Sequence, residues 1–360
     1  MKTAIIHDWL VSSGGAERVL EALCEIFPDA PVYTSVCDRS KISAALQKKD
    51  IRTSFLQKIP GSTKIYRDLL PLMPPAFQSF RLKGFDLILS SSHACAKGVR
   101  RPKGSVHICY CHTPMRYAWD MMEDYLKYEQ MNPVKKAAVP FLLGLVRRWD
   151  RWNSKGVDHF IANSDFVSRR IMTCYGRGSK VIHPPVDISK YRVGEKPGAY
   201  FLAVSRLVPQ KRTDIIIEAF NRLGFPLKVI GTGRELERLK SIAGTNIELT
   251  GFVPEEDLAE TLSGCRALIF ASYEDFGLVP LEAQASGRPA IVYGRGGASE
   301  TIIPGKTGII FEEQTPEAVI EAVRKFETMM FDSAAIRRHA EGFDKEIFKQ
   351  KIMEFIEERI

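Results

Sequence analysis

Short apolar runs, bounded by glycine, proline or charged residues, recur along this chain and alternate with stretches whose apolar residues fall at helical spacing. Residues 3–7 read as a buried strand. Ser12-Ser13-Gly14-Gly15-Ala16-Glu17-Arg18 follows, and then a helical pattern through Val19, Leu20, Leu23 and Ile26. Further strands are expected over 85–90, 106–111 and 160–163. Between Asp50 and Phe80, prolines and basic residues break the pattern, and the segment reads as irregular and partly helical. From residue 200 onward the alternation is regular. Strands over 200–205, 227–230, 247–250, 267–271, 289–293 and 307–311 alternate with helices beginning near Lys211, Arg234, Pro254, Val279, Ser299 and Thr315. A last helix is expected from about Phe343 to Ile360.

Such alternation requires mostly parallel sheets with helices on both faces, an α/β architecture. At 360 residues the chain suits two domains rather than one core. A linker through Gly194-Glu195-Lys196-Pro197-Gly198, just after Pro184-Pro185-Val186-Asp187, marks the boundary. The expected division is a Rossmann-like domain over 1–190, a second over 198–342, and a segment 343–360 that crosses back to the first. A cleft between the C-terminal edges of the two sheets is the expected ligand site.

Composition narrows the class. Apolar residues make up 45 % and charged residues 26 %, as in globular proteins. No apolar run reaches the ~18–20 residues of a membrane span. The opening run ends at once in His7 and Asp8, which reads as a strand and not a signal peptide. Seven scattered cysteines without a C-x-x-C pair suit a reducing, cytoplasmic setting. Cys109-x-Cys111-His112 reads as the end of a strand rather than a metal site. The net charge of +8 is lopsided: residues 1–195 carry +12 and the remainder −4. A basic front half calls for an anionic neighbour. Nucleic acid is set aside, because no motif interleaves aromatic and basic residues in the manner of RNA-binding sheets.

The densest chemistry is Glu274-Asp275-Phe276-Gly277-Leu278-Val279-Pro280-Leu281-Glu282, which follows a strand and opens a helix. The amides of Phe276, Gly277, Leu278 and Val279 suit a bound anion. A carboxylate accepts hydrogen bonds from two hydroxyls at once, so Glu282 suits a ribose diol and Glu274 a second sugar; either acid can also serve only to cap the helix. Arg206 and Lys211, in Ser205-Arg206-Leu207-Val208-Pro209-Gln210-Lys211-Arg212, supply two cations for a diphosphate at a strand end. The turns at Gly231-Thr232-Gly233 and Gly251-Phe252-Val253-Pro254 supply Gly231 and Val253 as a floor for a base.

These segments resemble the family-4 retaining glycosyltransferases of the GT-B fold. Glu274 and Glu282 match the family's Glu-x7-Glu element, Arg206 and Lys211 its Ser-Arg-Leu…Lys element, and Gly14-Gly15 its glycine-rich loop. Gly294-Arg295-Gly296-Gly297-Ala298-Ser299-Glu300 is similar to its Gly-Gly-x-x-Glu segment. His7-Asp8-Trp9 and His112-Thr113-Pro114-Met115-Arg116-Tyr117-Ala118-Trp119 resemble bacterial O-antigen and capsule mannosyltransferases, which implies GDP-mannose or a related GDP-sugar as donor. The resemblance implies transfer with retention and no bound metal: the leaving diphosphate deprotonates the acceptor, and the protein positions groups and stabilises charge. It implies that His112 contacts the sugar near the reacting carbon, with a core histidine as the other reading. Gly14 and Gly15 would admit phosphate and acceptor closely, and Arg116 is a candidate for a charged acceptor.

A saccharide or lipid-linked saccharide is the implied acceptor. Over 139–155, Phe141, Leu142, Leu145, Val146, Trp149 and Trp152 form a stripe, with Arg147, Arg148, Arg151 and Lys155 largely off it. This suits either a helix at the inner membrane surface or one packed on its own domain. A nicotinamide dehydrogenase is excluded by the lack of G-x-G-x-x-G. An epimerase and a non-catalytic binder of sugar nucleotides remain as competing classes.

Overall fold

A computed structural model describes residues 1–120, 122, 133–194 and 196–360; Glu195 of the linker lies outside the described residues. The chain divides into two compact units, Met1–Pro184 with Phe348–Ile360, and Pro185–Ile347.

The first unit is built on seven parallel strands: β1 (Thr3–His7), β2 (Val32–Thr34), β3 (Ile51–Thr53), β4 (Leu87–Ser92), β5 (Val106–Cys111), β6 (His159–Ala162) and β7 (Ser179–Val181). Their order is β3-β2-β1-β4-β5-β6-β7. The central strands are covered on both sides, which is why they read as continuous apolar runs. On one face Ile5, Leu89, Ile108 and Tyr110 pack against Leu20 and Leu23 of the helix Gly15–Ile26. Phe348, Ile352, Phe355 and Ile356 of the last helix, Lys345–Glu357, join the same cluster. On the other face Ala4, Ile6 and Ile88 meet Met73, Phe77 and Val146.

The segment expected to be irregular holds β3, a 3-10 turn Phe55–Lys58 and the short helices Ser62–Ile65 and Met73–Gln78. β4 starts and ends two residues later than its apolar run suggests, because Ser91 and Ser92 continue the ladder to β5 as buried polar residues.

The second unit has six parallel strands, β8 (Phe201–Val204), β9 (Leu227–Ile230), β10 (Ile247–Gly251), β11 (Leu268–Phe270), β12 (Ala290–Tyr293) and β13 (Gly308–Phe311), in the order β10-β9-β8-β11-β12-β13. Helices Thr213–Leu223, Leu236–Ile242, Glu255–Gly264, Leu278–Ala285 and Pro316–Glu327 alternate with them. Near Ser299, where a helix was expected, there is only the 3-10 turn Gly297–Thr301. The helix Ser333–Glu341, capped by the Asp332 carboxylate, was not anticipated.

The division between units falls before the glycine-rich linker, not within it. Val186 donates its N–H to Phe343 O and accepts from Lys345 N–H, at 3.0 and 3.1 Å. Val186, Ile188 and Tyr191 are buried in the second unit's core. The segment after Pro184 therefore already belongs to the second unit, and the returning segment begins at Phe348 rather than Phe343.

Candidate functional site

In the second sheet the connections reverse direction between β8 and β11: the chain moves outward through β9 and β10, then returns to β11 on the other side of β8. Loops leaving two such strands diverge, and ligands of open α/β sheets bind in the crevice they leave. Lys211 follows β8 and Glu274 follows β11. Their side chains form an ion pair across this reversal, each only partly exposed. Lys211 lies in the 3-10 turn Pro209–Lys211, and its carbonyl accepts from Ser272 Oγ at 3.2 Å, which holds the two loops together. Arg206 is exposed one turn earlier on the same loop.

Glycines let these loops lie against one another. Gly231 has φ +146°, and a Cβ there would fall 1.8 Å from Ser205 O. A Cβ on Gly297 would fall 2.1 Å from Asp275 O, and the Gly297 N–H bonds Glu274 O at 2.9 Å. Side chains at either position would push apart the loops that carry Arg206 and Glu274. Gly231 N–H also bonds Gly251 O at 2.8 Å, so the two turns expected beneath a base are joined directly.

The helix Leu278–Ala285 opens after Gly277, whose φ is +92°, with no side-chain cap on its first amides. A helix start of this kind, with its N–H groups and positive dipole end, suits an anion. Phe276 is buried in the core beneath, Leu278 is the first helical residue, and Glu282 is buried in the second turn. Val253 is half-buried while its neighbour Phe252 is 79 % exposed just after β10. Glu300 is half-buried in the Gly297–Thr301 turn.

The remaining site residues lie in the first unit. Gly14 and Gly15 stand at the start of the helix Gly15–Ile26, but Gly14 has φ −159°, an extended backbone that any residue adopts. A Cβ on Gly14 would crowd Glu17 Oε2 at 3.2 Å, so the space beside it is already close-packed. His112 follows β5 and is half-buried, its Nε2 2.8 Å from Ser91 Oγ. Burial, with His93 and His7 nearby, lowers its pKa well below the usual imidazole value, so the ring is neutral. Arg116 lies with its guanidinium 5.9 Å from the Phe166 ring centroid.

Sequence reasoning gave no role to Asp8, yet its buried carboxylate accepts the N–H groups of His93, Ala94, Cys95 and Ala96 at 2.6–2.9 Å. The loop after β4 is shaped by that one side chain. A charge at the end of an apolar strand, followed by Trp9, was the available signal. Lys97 and Asp150 were also missed. Both are buried and paired, and Asp150 further accepts from Trp119 Nε1 and Tyr175 OH at 2.9 and 2.8 Å. Among the described residues no cluster of three or more His, Cys, Asp or Glu is placed to hold a metal ion. Cys109 and Cys111 are buried within β5.

A family model for glycosyltransferase family 4 matches residues 13–190, and one for glycosyl transferases group 1 matches residues 188–341. The chain thus carries a glycosyltransferase family 4 domain followed by a glycosyl transferases group 1 domain. D-inositol 3-phosphate glycosyltransferase of Geodermatophilus obscurus is 31 % identical over 228 residues, 52 % of this chain and 50 % of that protein. A GDP-mannose-dependent alpha-(1-6)-phosphatidylinositol monomannoside mannosyltransferase of Mycobacterium tuberculosis is 32 % identical over 154 residues, 37 % of this chain and 39 % of that one. The chain thus spans half or less of the length of these curated relatives. Among solved structures, sucrose-phosphate synthase of Thermosynechococcus elongatus superposes with a TM-score of 0.74 at 18 % identity, and HepE of Anabaena with UDP and glucose at 0.70 and 19 %; each covers 99 % of both chains. At that identity they establish the fold, two parallel-sheet α/β domains of the GT-B kind.

In the first unit the helix Pro133–Asn153 departs from the expected stripe. Val146 turns inward with Leu143 and Asp150, and Trp149 is half-buried. A Cβ on Gly98 would come within 2.6 Å of the Trp149 ring, so glycine makes room for it. Arg147 also turns inward, donating to Ala118 O at 2.6 Å with its guanidinium 5.5 Å from the Trp119 ring centroid. The outer face carries Phe141, Leu142, Leu145 and Trp152, and Arg148 sits among them rather than off the stripe. No described helix is long and apolar enough to cross a membrane.

Proposed function

We propose that this protein transfers a hexose with retention of configuration, mannose from GDP-mannose, to a glycan or lipid-linked saccharide in cell-surface polysaccharide assembly. The observation that carries the reading is the Lys211–Glu274 pair at the reversal of the second sheet, beside an uncapped helix start. When a glycosidic bond to a diphosphate breaks, negative charge grows on the leaving group, and stabilising it is the main electrostatic task. Arg206, Lys211 and the amides after Gly277 meet that task with no bound metal. Glu274 exchanges its partner for hydroxyls of the transferred sugar, Glu282 takes the ribose diol, and Gly231 and Val253 lie under the base. His112 serves the sugar as a neutral imidazole, and Arg116 a charged acceptor. The departing diphosphate oxygen takes the acceptor proton on the face it leaves, so the chain needs no strong base of its own. The mannosyl donor is supported by the name of the mycobacterial relative and by the His112–Trp119 segment.

The outer face of the helix Pro133–Asn153 suits an anionic lipid surface. Phe141 and Trp152 are 70 % and 64 % exposed, with Arg148, Arg151 and Lys155 exposed beside them. Apolar side chains that enter the headgroup boundary and cations that meet its phosphates are complementary to such a surface. A lipid-linked acceptor would then be presented where the enzyme rests.

The deciding measurement is a thermal-shift and calorimetric panel of GDP, UDP, ADP and their sugars. Selective binding of GDP and GDP-mannose is expected. Selective binding of UDP overturns the mannosyl donor alone, and absence of binding by all of them overturns the transferase reading.

A further inference from the structure

At the C-terminal edge of the first sheet, three adjacent strands turn from apolar to polar on one face. His7 and Ser91 are direct register partners of β1 and β4, and Ser91 pairs in turn with Tyr110 of β5. Side chains two apart share a face, so Ile5 leads to His7, Leu89 to Ser91 and Tyr110 to His112. The helix Gly15–Ile26 covers this face and brings Glu17 over its end. The result is a continuous row: Glu17 Oε1 lies 3.9 Å from His7 Nε2, His7 Nδ1 is 3.1 Å from Ser91 Oγ, and Ser91 Oγ is 2.8 Å from His112 Nε2. His7 and Ser91 are fully buried and Glu17 is nearly so.

We propose that Glu17, His7 and Ser91 are positioning residues that determine whether His112 offers its ligand a hydrogen-bond donor or an acceptor. The proposal rests on the reading of His112 as the residue that serves the sugar. A serine hydroxyl has one proton, so between two histidines it donates to one and accepts from the other. Burial raises the Glu17 pKa, but the attraction of the His7 ring 3.9 Å away, with that of His93 and a backbone bond, outweighs this and the net value is lowered. Glu17 is therefore a carboxylate, and it keeps a proton on His7 Nε2. With the His7 proton on Nε2, its Nδ1 accepts from Ser91, Ser91 accepts from His112 Nε2–H, and His112 Nδ1 is an acceptor. With that proton on Nδ1 instead, both bonds reverse. Ser91 then donates to His112 Nε2, and the proton of His112 moves to Nδ1, which becomes a donor. His112 stays neutral throughout.

Other groups also face this row. His93, on the loop after β4, has its ring 6.4 Å from His7 and 6.2 Å from His112. The Asp8 carboxylate holds that loop and lies 3.3 Å from His93 Nδ1. The ring of Tyr110 lies 5.2 Å from that of His112. The spectra must therefore be assigned residue by residue.

Nitrogen-15 NMR of histidine-labelled protein, without donor, reads the tautomer of each ring directly. In the parent at neutral pH, His112 is expected to carry its proton on Nε2, the hydrogen that Ser91 accepts. Ser91→Ala should abolish that preference. Glu17→Gln preserves shape but replaces the carboxylate that favours the His7 proton on Nε2, and should shift His112 toward the Nδ1–H tautomer. A His112 with the same tautomer in the parent, Ser91→Ala and Glu17→Gln overturns the proposal. That result does not touch donor binding, and lack of transfer by a protein whose tautomer shifts as expected strikes the proposed function instead.

Discussion

Lys211 and Glu274 are separated by 63 positions in the sequence, yet their charges meet at the one place in the second sheet where neighbouring strands send their loops in opposite directions. The pair is partly solvated, so its worth to stability is small, on the order of 0–1 kcal/mol. Lys211→Ala is expected to leave thermal unfolding within a few degrees of the parent and to lower kcat/KM by about 10²–10³-fold, the scale seen when one group stabilising transition-state charge is removed. Arg206→Ala and Glu282→Ala should behave likewise. Parent-like rates in all three would remove the basis for this site.

Gly297→Ala tests the packing of the loops apart from their charges. Its new methyl must displace Asp275 O, and with it the segment leading into the helix Leu278–Ala285. Calorimetry should show nucleotide affinity reduced more than about tenfold, as expected for misplacement of the helix-end amides.

Two central histidines couple stability of the first unit to pH. His107 is fully buried against Ser90 Oγ at 2.8 Å, and burial lowers its pKa to about 4. The unfolded chain, with an ordinary imidazole near 6.5, binds the extra proton first as pH falls. Stability from this group is complete above about pH 6.5 and is lost progressively toward pH 4, up to about 3 kcal/mol. His112 acts in the same direction. Urea midpoints measured across that window should fall with pH, and His107→Gln should flatten the slope.

The buried Lys97–Asp150 pair anchors the helix Pro133–Asn153 to the sheet. Removing the carboxylate alone strands an ammonium away from water, so Asp150→Ala should cost about 3–5 kcal/mol. Lys97→Met with Asp150→Leu should cost less than that single change. Denaturant unfolding compares them, and a double variant worse than the single would contradict the desolvation argument.

On the same helix, Trp152→Ala with Arg148→Glu removes an apolar anchor and reverses a charge on the exposed face without entering the core. Flotation with phosphatidylserine vesicles at low salt should recover the parent with the lipid and leave the variant behind. A parent that fails to float disposes of the membrane reading.

Buried parallel strands were the legible part of the fold. β9 and β5 carry unbroken or alternating apolar residues between clear punctuation, and their limits follow from the sequence. β2 and β7 have three residues each, too few for a period to declare itself. The loop from Glu274 to Glu282 was legible because two acids, a glycine and a helix start coincide there. The row from Glu17 to His112 was not, since its members come from four segments of the chain and only strand register aligns them. Nor does spacing show which face of the helix Pro133–Asn153 turns inward. Val146 and Trp149 look like part of the exposed stripe until Gly98 and Asp150 are seen to claim that side.

The hydrophobic cluster around Ile5, Leu23 and Tyr110 includes Phe348, Ile352, Phe355 and Ile356. During synthesis, the earliest-made sheet therefore emerges from the ribosome with one face only partly covered by the helix Gly15–Ile26, and waits for more than 160 further residues before the rest of its cover arrives. Stop codons in the last helix beyond Ile347 would leave the sequence of the second unit whole while exposing the oldest part of the chain to aggregation and chaperones.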